Sequence, residues 1–350
     1  MKTRYKILVT PTSIKPDSKS DALDALKAFA GELVYNPTGK PLAERDLLKL
    51  LKGCDGVVAG LDDYSGEVIR LCANYADNSN ADANTNADAF AGVTGGYLRQ
   101  DGKLKVISRY GSGYDNVDLA SARDNGVVVC KTPGANAQAV ADLAFGLMLC
   151  CARRLPMLDR GTKSGEWPRS TGIELYGKTI GILGLGAVGK GVAKRASGFS
   201  MRVLATYVAP DMEFARTHGI YIVSFDELIS ASDFISLHLP LNPVTRRIIN
   251  RDALNMFKPG AILVNTARGG LIDEDAAYEA LISGRLGGLG LDAYEEEPPK
   301  VSPLFGLDNV ALTPHTGSHT LEATRNLAQT AVNNLIDVLS GRPCRYAVII

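Results

Sequence analysis

The chain holds 350 residues, with 38 lysines and arginines against 38 aspartates and glutamates, so its formal net charge is zero. That length allows two globular domains, and an apolar share of 45% can fill a core in each. A balanced charge with no block of one sign argues against nucleic acid or an anionic membrane as the principal partner.

The start, Met1-Lys2-Thr3-Arg4-Tyr5, runs into Ile7-Leu8-Val9 and then Pro11, too short an apolar stretch for a signal peptide. No later run approaches membrane-spanning length. The six cysteines (54, 72, 130, 150, 151 and 344) have neither disulfide-framework nor zinc spacing. No metal is expected, and a reduced, cytoplasmic setting fits best. Cys150 and Cys151, adjacent on an apolar helix, read as buried free thiols.

Short apolar runs alternate with helical patterns, which predicts parallel sheets with crossover helices. A strand at 7–10 leads to helices at 19–29 and 46–52, then to strands at 56–59, 106–109 and 127–130. Of the 19 residues from 73 to 91, 15 are Ala, Asn or Asp without apolar periodicity. Such a stretch cannot offset its ordering entropy by burial, so it reads as a mobile surface insertion. A calcium loop over 77–88 fails, because Asp82 stands where the sharp turn needs glycine and alanines flank it.

Residues 136–153 form a long apolar helix suited to joining two domains. A strand at 178–183 then enters Gly184-Leu185-Gly186-Ala187-Val188-Gly189, followed by a helix to about 198 and a strand at 202–206. Further strands fall at 234–237, 261–265, 288–291 and 310–312. A final helix at 321–339 returns the chain to the first unit.

In a dinucleotide-binding strand–turn–helix, Gly184 permits the tight turn and Gly186 lets the backbone approach a pyrophosphate. Gly189 brings helix and strand together, and the helix N-terminus supplies N–H donors with partial positive charge. The flanking strand and helix are the context this motif requires; a turn that merely packs is the bland alternative. An acid about 20 positions on commonly grips the ribose hydroxyls. That place holds Tyr207, and no carboxylate appears before Asp211. No adjacent Arg or Lys would bind a 2′-phosphate either, so NAD and NADP both stay open.

Three later segments read as strand ends facing a cleft: Asn265-Thr266-Ala267-Arg268-Gly269-Gly270, residues 292–298, and Thr313-Pro314-His315-Thr316-Gly317. Hydride transfer between a hydroxy acid and a keto acid needs a planar cation for the carboxylate and a group near neutrality for the hydroxyl proton. A carboxylate beside that second group orients it and favours its charged form. Arg268, His315 and Glu297 fill these roles in type. Taken singly, Arg268 could cap a helix or pair with Asp273, His315 could be a satisfied loop histidine, and Glu297 could belong to a solvated acidic run.

Other motifs surround them. Arg109-Tyr110-Gly111-Ser112-Gly113-Tyr114-Asp115-Asn116-Val117-Asp118 precedes Thr132-Pro133-Gly134-Ala135-Asn136 and Ala141-Asp142-Leu143-Ala144, and Ser236-Leu237-His238-Leu239-Pro240-Leu241 lies further on. Together these closely resemble the D-isomer-specific 2-hydroxyacid dehydrogenase family, especially its phosphoglycerate-dehydrogenase-like branch, over nearly the whole chain outside the insertion. The resemblance implies α/β architecture with two Rossmann-like doubly wound parallel-sheet domains. Residues 1–134 with 317–350 would form a flavodoxin-like substrate domain, carrying the insertion at 73–103. Residues 135–316 would form the inserted NAD(P)-binding domain.

The resemblance also implies that Arg268, Glu297 and His315 are catalytic. Ser112 and Gly113 would offer backbone N–H groups to the substrate carboxylate, and Asp292 would hold the nicotinamide carboxamide. Thr266 and Pro240 would line the cofactor cleft, together with Ala267, His238 and Thr245; Ala187, Val188 and Tyr207 would join the glycine turn. Arg109 is a candidate anion contact, or a strand residue paired elsewhere. The implied activity is hydride exchange between NAD or NADP and a D-2-hydroxy acid/2-keto acid pair, with 3-phosphoglycerate the first substrate to test, in a homodimer. Tyr207, Ala187 where many members carry a basic residue, the insertion and Ser112 depart from the family pattern. A phosphite-type dehydrogenase and a dinucleotide-sensing, corepressor-like protein are the rival readings.

Overall fold

A computed structural model describes residues 5–74 and 103–348. The chain divides into two compact units, Met1–Ala135 with Thr324–Ile350, and Asn136–Ala323. The second boundary thus lies beyond the expected 316/317.

The first unit contains β1 (Tyr5–Val9), α1 (Asp21–Phe29), β2 (Ala30–Tyr35), α2 (Glu44–Leu51), β3 (Gly56–Ala59), α3 (Gly66–Ala73), β4 (Val106–Arg109), α4 (Leu119–Asp124) and β5 (Val128–Cys130). Its parallel sheet has the order β2-β1-β3-β4-β5, the flavodoxin-like arrangement. Alternation sends side chains to opposite faces: Leu8, Val57 and Ile107 join a core with Leu47, Leu51, Val68 and Ile69, while Ile7, Val9, Val58 and Val106 join one with Leu23 and Leu26. Both faces are covered, so the inner strands read as unbroken apolar runs. The expected insertion falls largely on residues 75–102, outside the described residues. Its first residue, Ala73, is instead the buried last residue of α3, which starts behind Ser65, whose side chain accepts from the Val68 N–H.

The second unit contains α5 (Ala137–Arg153), α6 (Leu155–Lys163), β6 (Thr179–Leu183), α7 (Ala187–Gly198), β7 (Arg202–Thr206), α8 (Met212–Thr217), β8 (Ile220–Ile222), α9 (Phe225–Ala231), β9 (Phe234–Leu237), α10 (Arg251–Met256), β10 (Ala261–Asn265), α11 (Glu274–Ile282), β11 (Leu286–Leu291) and β12 (Val310–Leu312). Its sheet runs β12-β11-β10-β9-β6-β7-β8, all parallel. Strand order reverses at β6, which creates the crevice where such folds bind ligands.

Two expectations need correcting. β2 and β8, both edge strands, lie outside the strands predicted above. Helix α5 is expected above as a connector, whereas Ala141, Ala144, Phe145, Leu147 and Met148 pack against Ile180, Ile182, Ile262 and Val264 in the second unit's core. The final helix, α12 (Leu321–Leu339), places Ala328, Ala331, Val332, Leu335 and Leu339 in the core with Ile7 and Val106. No helix among the described residues is long and apolar enough to cross a membrane.

Candidate active site

Strand β10 ends at Asn265, which is fully buried. A buried primary amide must find partners, and this one does so in the turn that follows. Its Nδ2 donates to the Arg268 carbonyl (2.8 Å), and its Oδ1 accepts from the Ala267 N–H (3.0 Å). The turn bearing Arg268 is thereby closed on itself. Arg268 is partly buried, with Nη1 donating to the Ala267 carbonyl (2.8 Å).

Strands β11 and β12 deliver the other two groups. The carboxylate of Asp292, 1% exposed, accepts from the Thr313 hydroxyl (2.7 Å), the Thr316 N–H (2.7 Å) and the Gly317 N–H (2.8 Å). These bonds pin the segment on both sides of His315, whose backbone sits in the left-handed region at φ 51°. A non-glycine residue there carries a strain of order 1 kcal/mol and persists where the surroundings enforce it.

His315 Nδ1 lies 2.6 Å from Glu297 Oε2, and Glu297 Oε1 accepts from the Tyr294 N–H (3.0 Å). Both carboxylate oxygens are therefore engaged. The Nδ1 contact fixes a proton between ring and carboxylate and leaves Nε2 for chemistry. Among the described residues no hydrogen bond engages Nε2, and the side chain remains 27% exposed. Burial pushes the Glu297 carboxyl up, but the hydrogen bond and charge of His315, the Tyr294 N–H and the Arg268 charge outweigh it. The carboxyl lies below the ordinary glutamate range. Cation, imidazole and carboxylate thus act on one another, as separate solvated residues would not.

The glycine turn follows β6. Gly184 has φ 105°, and a Cβ there would meet the His238 carbonyl oxygen at 2.6 Å. A Cβ at Gly189 would collide with the Gly184 carbonyl, so only glycine lets α7 begin this close to β6. Gly186 is the N-cap of α7 and offers no side-chain acceptor, so first-turn N–H groups at Ala187, Val188 and Gly189 stay open to an anion. The Tyr207 hydroxyl lies 3.8 Å from where a Gly186 Cβ would stand. Lys190, the nearby cation, is paired with Asp211 at 2.7 Å.

Around this turn, His238 Nε2 meets the Ser236 hydroxyl (2.9 Å), and burial pushes its imidazole down to about 3 although part of the residue reaches solvent. Thr245 donates to the Pro240 carbonyl (2.6 Å) and accepts from the Asn242 N–H (2.9 Å), which holds the loop after β9. Among the described residues the buried Thr266 hydroxyl has no hydrogen-bond partner. An orphaned polar atom beyond β10, a cleared glycine turn and an open helix N-terminus fit a dinucleotide. Tyr207, expected at the ribose end, puts a phenol where an acid is common.

In the first unit Arg109, expected as an anion contact, is 2% exposed. Its Nη1 donates to the carbonyls of Ala59 (2.6 Å) and Gly60, and its Nε to that of Gly113 (3.1 Å). It therefore acts as an internal brace of the loop carrying Ser112 and Gly113. Ser112 donates its hydroxyl to the Thr132 carbonyl (3.1 Å). Sequence reasoning missed Asn265 and Tyr294 as holders of the site. Their only signal was their position inside the segments already singled out.

Residues 145–317 match the family model described as D-isomer specific 2-hydroxyacid dehydrogenase, NAD binding domain. Over 252 residues the chain is 45% identical to the D-3-phosphoglycerate dehydrogenase of Methanocaldococcus jannaschii, covering 71% of this chain and 48% of that one. Over 253 residues it is 44% identical to the hydroxypyruvate reductase of Thermotoga maritima, covering 71% of this chain and 81% of that one. The matched region therefore spans about half the length of the first relative and most of the second. The apo-structure of D-lactate dehydrogenase from Escherichia coli is similar with a TM-score of 0.78 at 31% identity, over 98% of this chain and 100% of that chain.

Proposed function

The chain belongs to the D-isomer specific 2-hydroxyacid dehydrogenase family, and from that premise we propose that it interconverts a small 2-keto acid and its D-2-hydroxy acid. The observation that carries this reading is the His315–Glu297 pair, with Nε2 left open, acting within the field of Arg268.

When bound, a nicotinamide supplies or takes up the hydride. In the reducing direction Arg268 binds the substrate carboxylate and polarises the carbonyl. His315, as imidazolium, gives its Nε2 proton to the oxygen as the carbonyl carbon is reduced. Glu297 stays ionised and favours that charged imidazole. In the oxidising direction neutral Nε2 takes the hydroxyl proton.

Cofactor binding falls to the second unit, with the glycine turn on the pyrophosphate and Thr266, Ala267, Pro240, His238 and Thr245 along the cleft. Among the described residues Asp292 Oδ2 accepts one donor, so a lone pair remains for a carboxamide. We take NAD as the cofactor. Tyr207 supplies a neutral hydroxyl at the ribose, so discrimination against NADP is weak.

The first unit's candidate substrate contacts are the backbone N–H groups of Ser112 and Gly113. Because Arg109 is committed to backbone carbonyls, it offers nothing to a second anionic group. That favours an unphosphorylated keto acid such as hydroxypyruvate over the 3-phosphoglycerate pair. Leu155 on α6 and Trp167, Ile173 and Tyr176 in the chain after it are large apolar side chains left exposed, which a second copy in a homodimer would cover. Six free thiols suit a reducing cytoplasm.

Glyoxylate, hydroxypyruvate, pyruvate and 3-phosphohydroxypyruvate should be assayed with NADH and NADPH. Oxidation of the reduced cofactor, fastest with hydroxypyruvate, is the expected result. Cofactor binding without turnover of any keto acid would overturn it in favour of a sensor.

A further inference from the structure

The three groups of the site come from segments far apart in the chain, and all three meet at one residue. Tyr294 lies two positions beyond Asp292 and is 9% exposed. Its backbone N–H donates to Glu297 Oε1 (3.0 Å). Its phenol hydroxyl donates to the carbonyl of Thr313 (2.9 Å), two residues before His315. A Cβ on Gly269, the residue after Arg268, would collide with the Tyr294 carbonyl. The turn bearing Arg268 is thus packed directly on the Tyr294 backbone.

We propose that Tyr294 is a positioning residue for the reaction, one that fixes the Glu297–His315 pair and its register against Arg268. The inference rests on the reading of those three as the catalytic set. Holding Oε1 by a backbone N–H turns Oε2 toward His315 Nδ1. The phenol fixes the carbonyl to which the His315 N–H also donates a turn bond (3.0 Å). Asp292 ties the same segment at Thr313, Thr316 and Gly317, so the two residues hold it from both sides. Burial, together with the charges of Asp292, Glu297 and Glu274, pushes the Tyr294 phenol up to about 12, against a weaker opposing effect of its bond to Thr313. It therefore remains a donor at every pH at which the protein works.

The test is Y294F, which keeps the ring and the backbone N–H and removes the hydroxyl alone. Loss of one neutral hydrogen bond predicts a fall in kcat on the order of fivefold. The KM for keto acid and the Kd for NADH should stay within about twofold, since neither Arg268 nor the glycine turn is touched. Because the hydroxyl acts on the Glu297–His315 pair, the pH profile of reduction should change along with kcat. In an E297Q background the Y294F effect should shrink, because both act on the same pair.

Wild-type kcat and an unmoved pH profile in Y294F would overturn the proposal, as would full additivity with E297Q. Reduced thermal stability with unchanged kinetics would overturn it too. An H315A enzyme that keeps its activity would instead remove the catalytic reading on which the inference stands.

Discussion

Each unit carries an arginine at the end of a parallel strand, Arg109 on β4 and Arg268 just past β10, and the two have opposite surroundings. Arg109 is 2% exposed, with donors committed to the carbonyls of Ala59, Gly60 and Gly113. Arg268 is partly buried on a turn that Asn265 closes, and its charge reaches Glu297. A guanidinium has five N–H donors in a fixed fork. Where three backbone carbonyls take them the residue is a brace; Arg268 donates to the local carbonyl of Ala267, and its charge acts on Glu297. Residue type and topological place do not separate these cases. The partners do.

The contrast breaks most sharply by substitution on the two sides. His315→Ala should lower turnover on the order of a thousandfold, with cofactor affinity and melting temperature preserved, as steady-state kinetics and thermal unfolding would read. Arg109→Met should do the reverse. Removing a buried charge that serves several carbonyls should cost roughly 3 kcal/mol of stability by urea unfolding, while the folded fraction keeps its KM for NADH. Activity loss without destabilisation in Arg109→Met would show that the two arginines had been assigned the wrong way round.

A smaller effect concerns cofactor choice. Tyr207→Asp restores an acid at the ribose, where it would accept from the hydroxyls of NADH and repel a 2′-phosphate. The NADH-to-NADPH ratio of kcat/KM should rise about tenfold, equivalent to ~1.4 kcal/mol. An unchanged ratio would place ribose recognition elsewhere.

The smallest is a pH dependence. The folded-state value of His238, near 3, lies below an unfolded value of about 6.5. Between those values the unfolded chain holds a proton that the folded chain does not, so stability is complete above this window and falls as pH drops through it. The urea midpoint should therefore fall less between pH 7 and pH 5 in His238→Asn than in the parent. Equal sensitivity in both proteins would assign the acid response to other groups.

Much of this was readable in the sequence because inner parallel strands are apolar on both faces. β3 and β10 have every residue buried and stand out as short unbroken runs. The edge strand β2 alternates little and is half exposed, and β8 has three residues, so neither produced a period. α5 was legible as a helix but not as a core element, since its apolar positions do not reveal what they pack against. The candidate site divides the same way. Arg268, Glu297 and His315 were found by type and order. The bonds that hold them were not: those of Asn265 and of the Tyr294 N–H are local turn bonds without a sequence period, and those of Asp292 and the Tyr294 hydroxyl join residues 19 to 25 apart once β11 and β12 have paired. Arg109 could not be read as a brace without the carbonyls of Ala59 and Gly60, 50 and 49 residues away.

The most direct test is the pH dependence of kcat/KM in the two directions, measured on one preparation with NADH and hydroxypyruvate and with NAD and D-glycerate. If one imidazole donates the proton in reduction and accepts it in oxidation, reduction falls and oxidation rises with pH through the same ionisation. Parallel profiles, or mirror-image limbs that survive in His315→Ala, would contradict the central role given to His315.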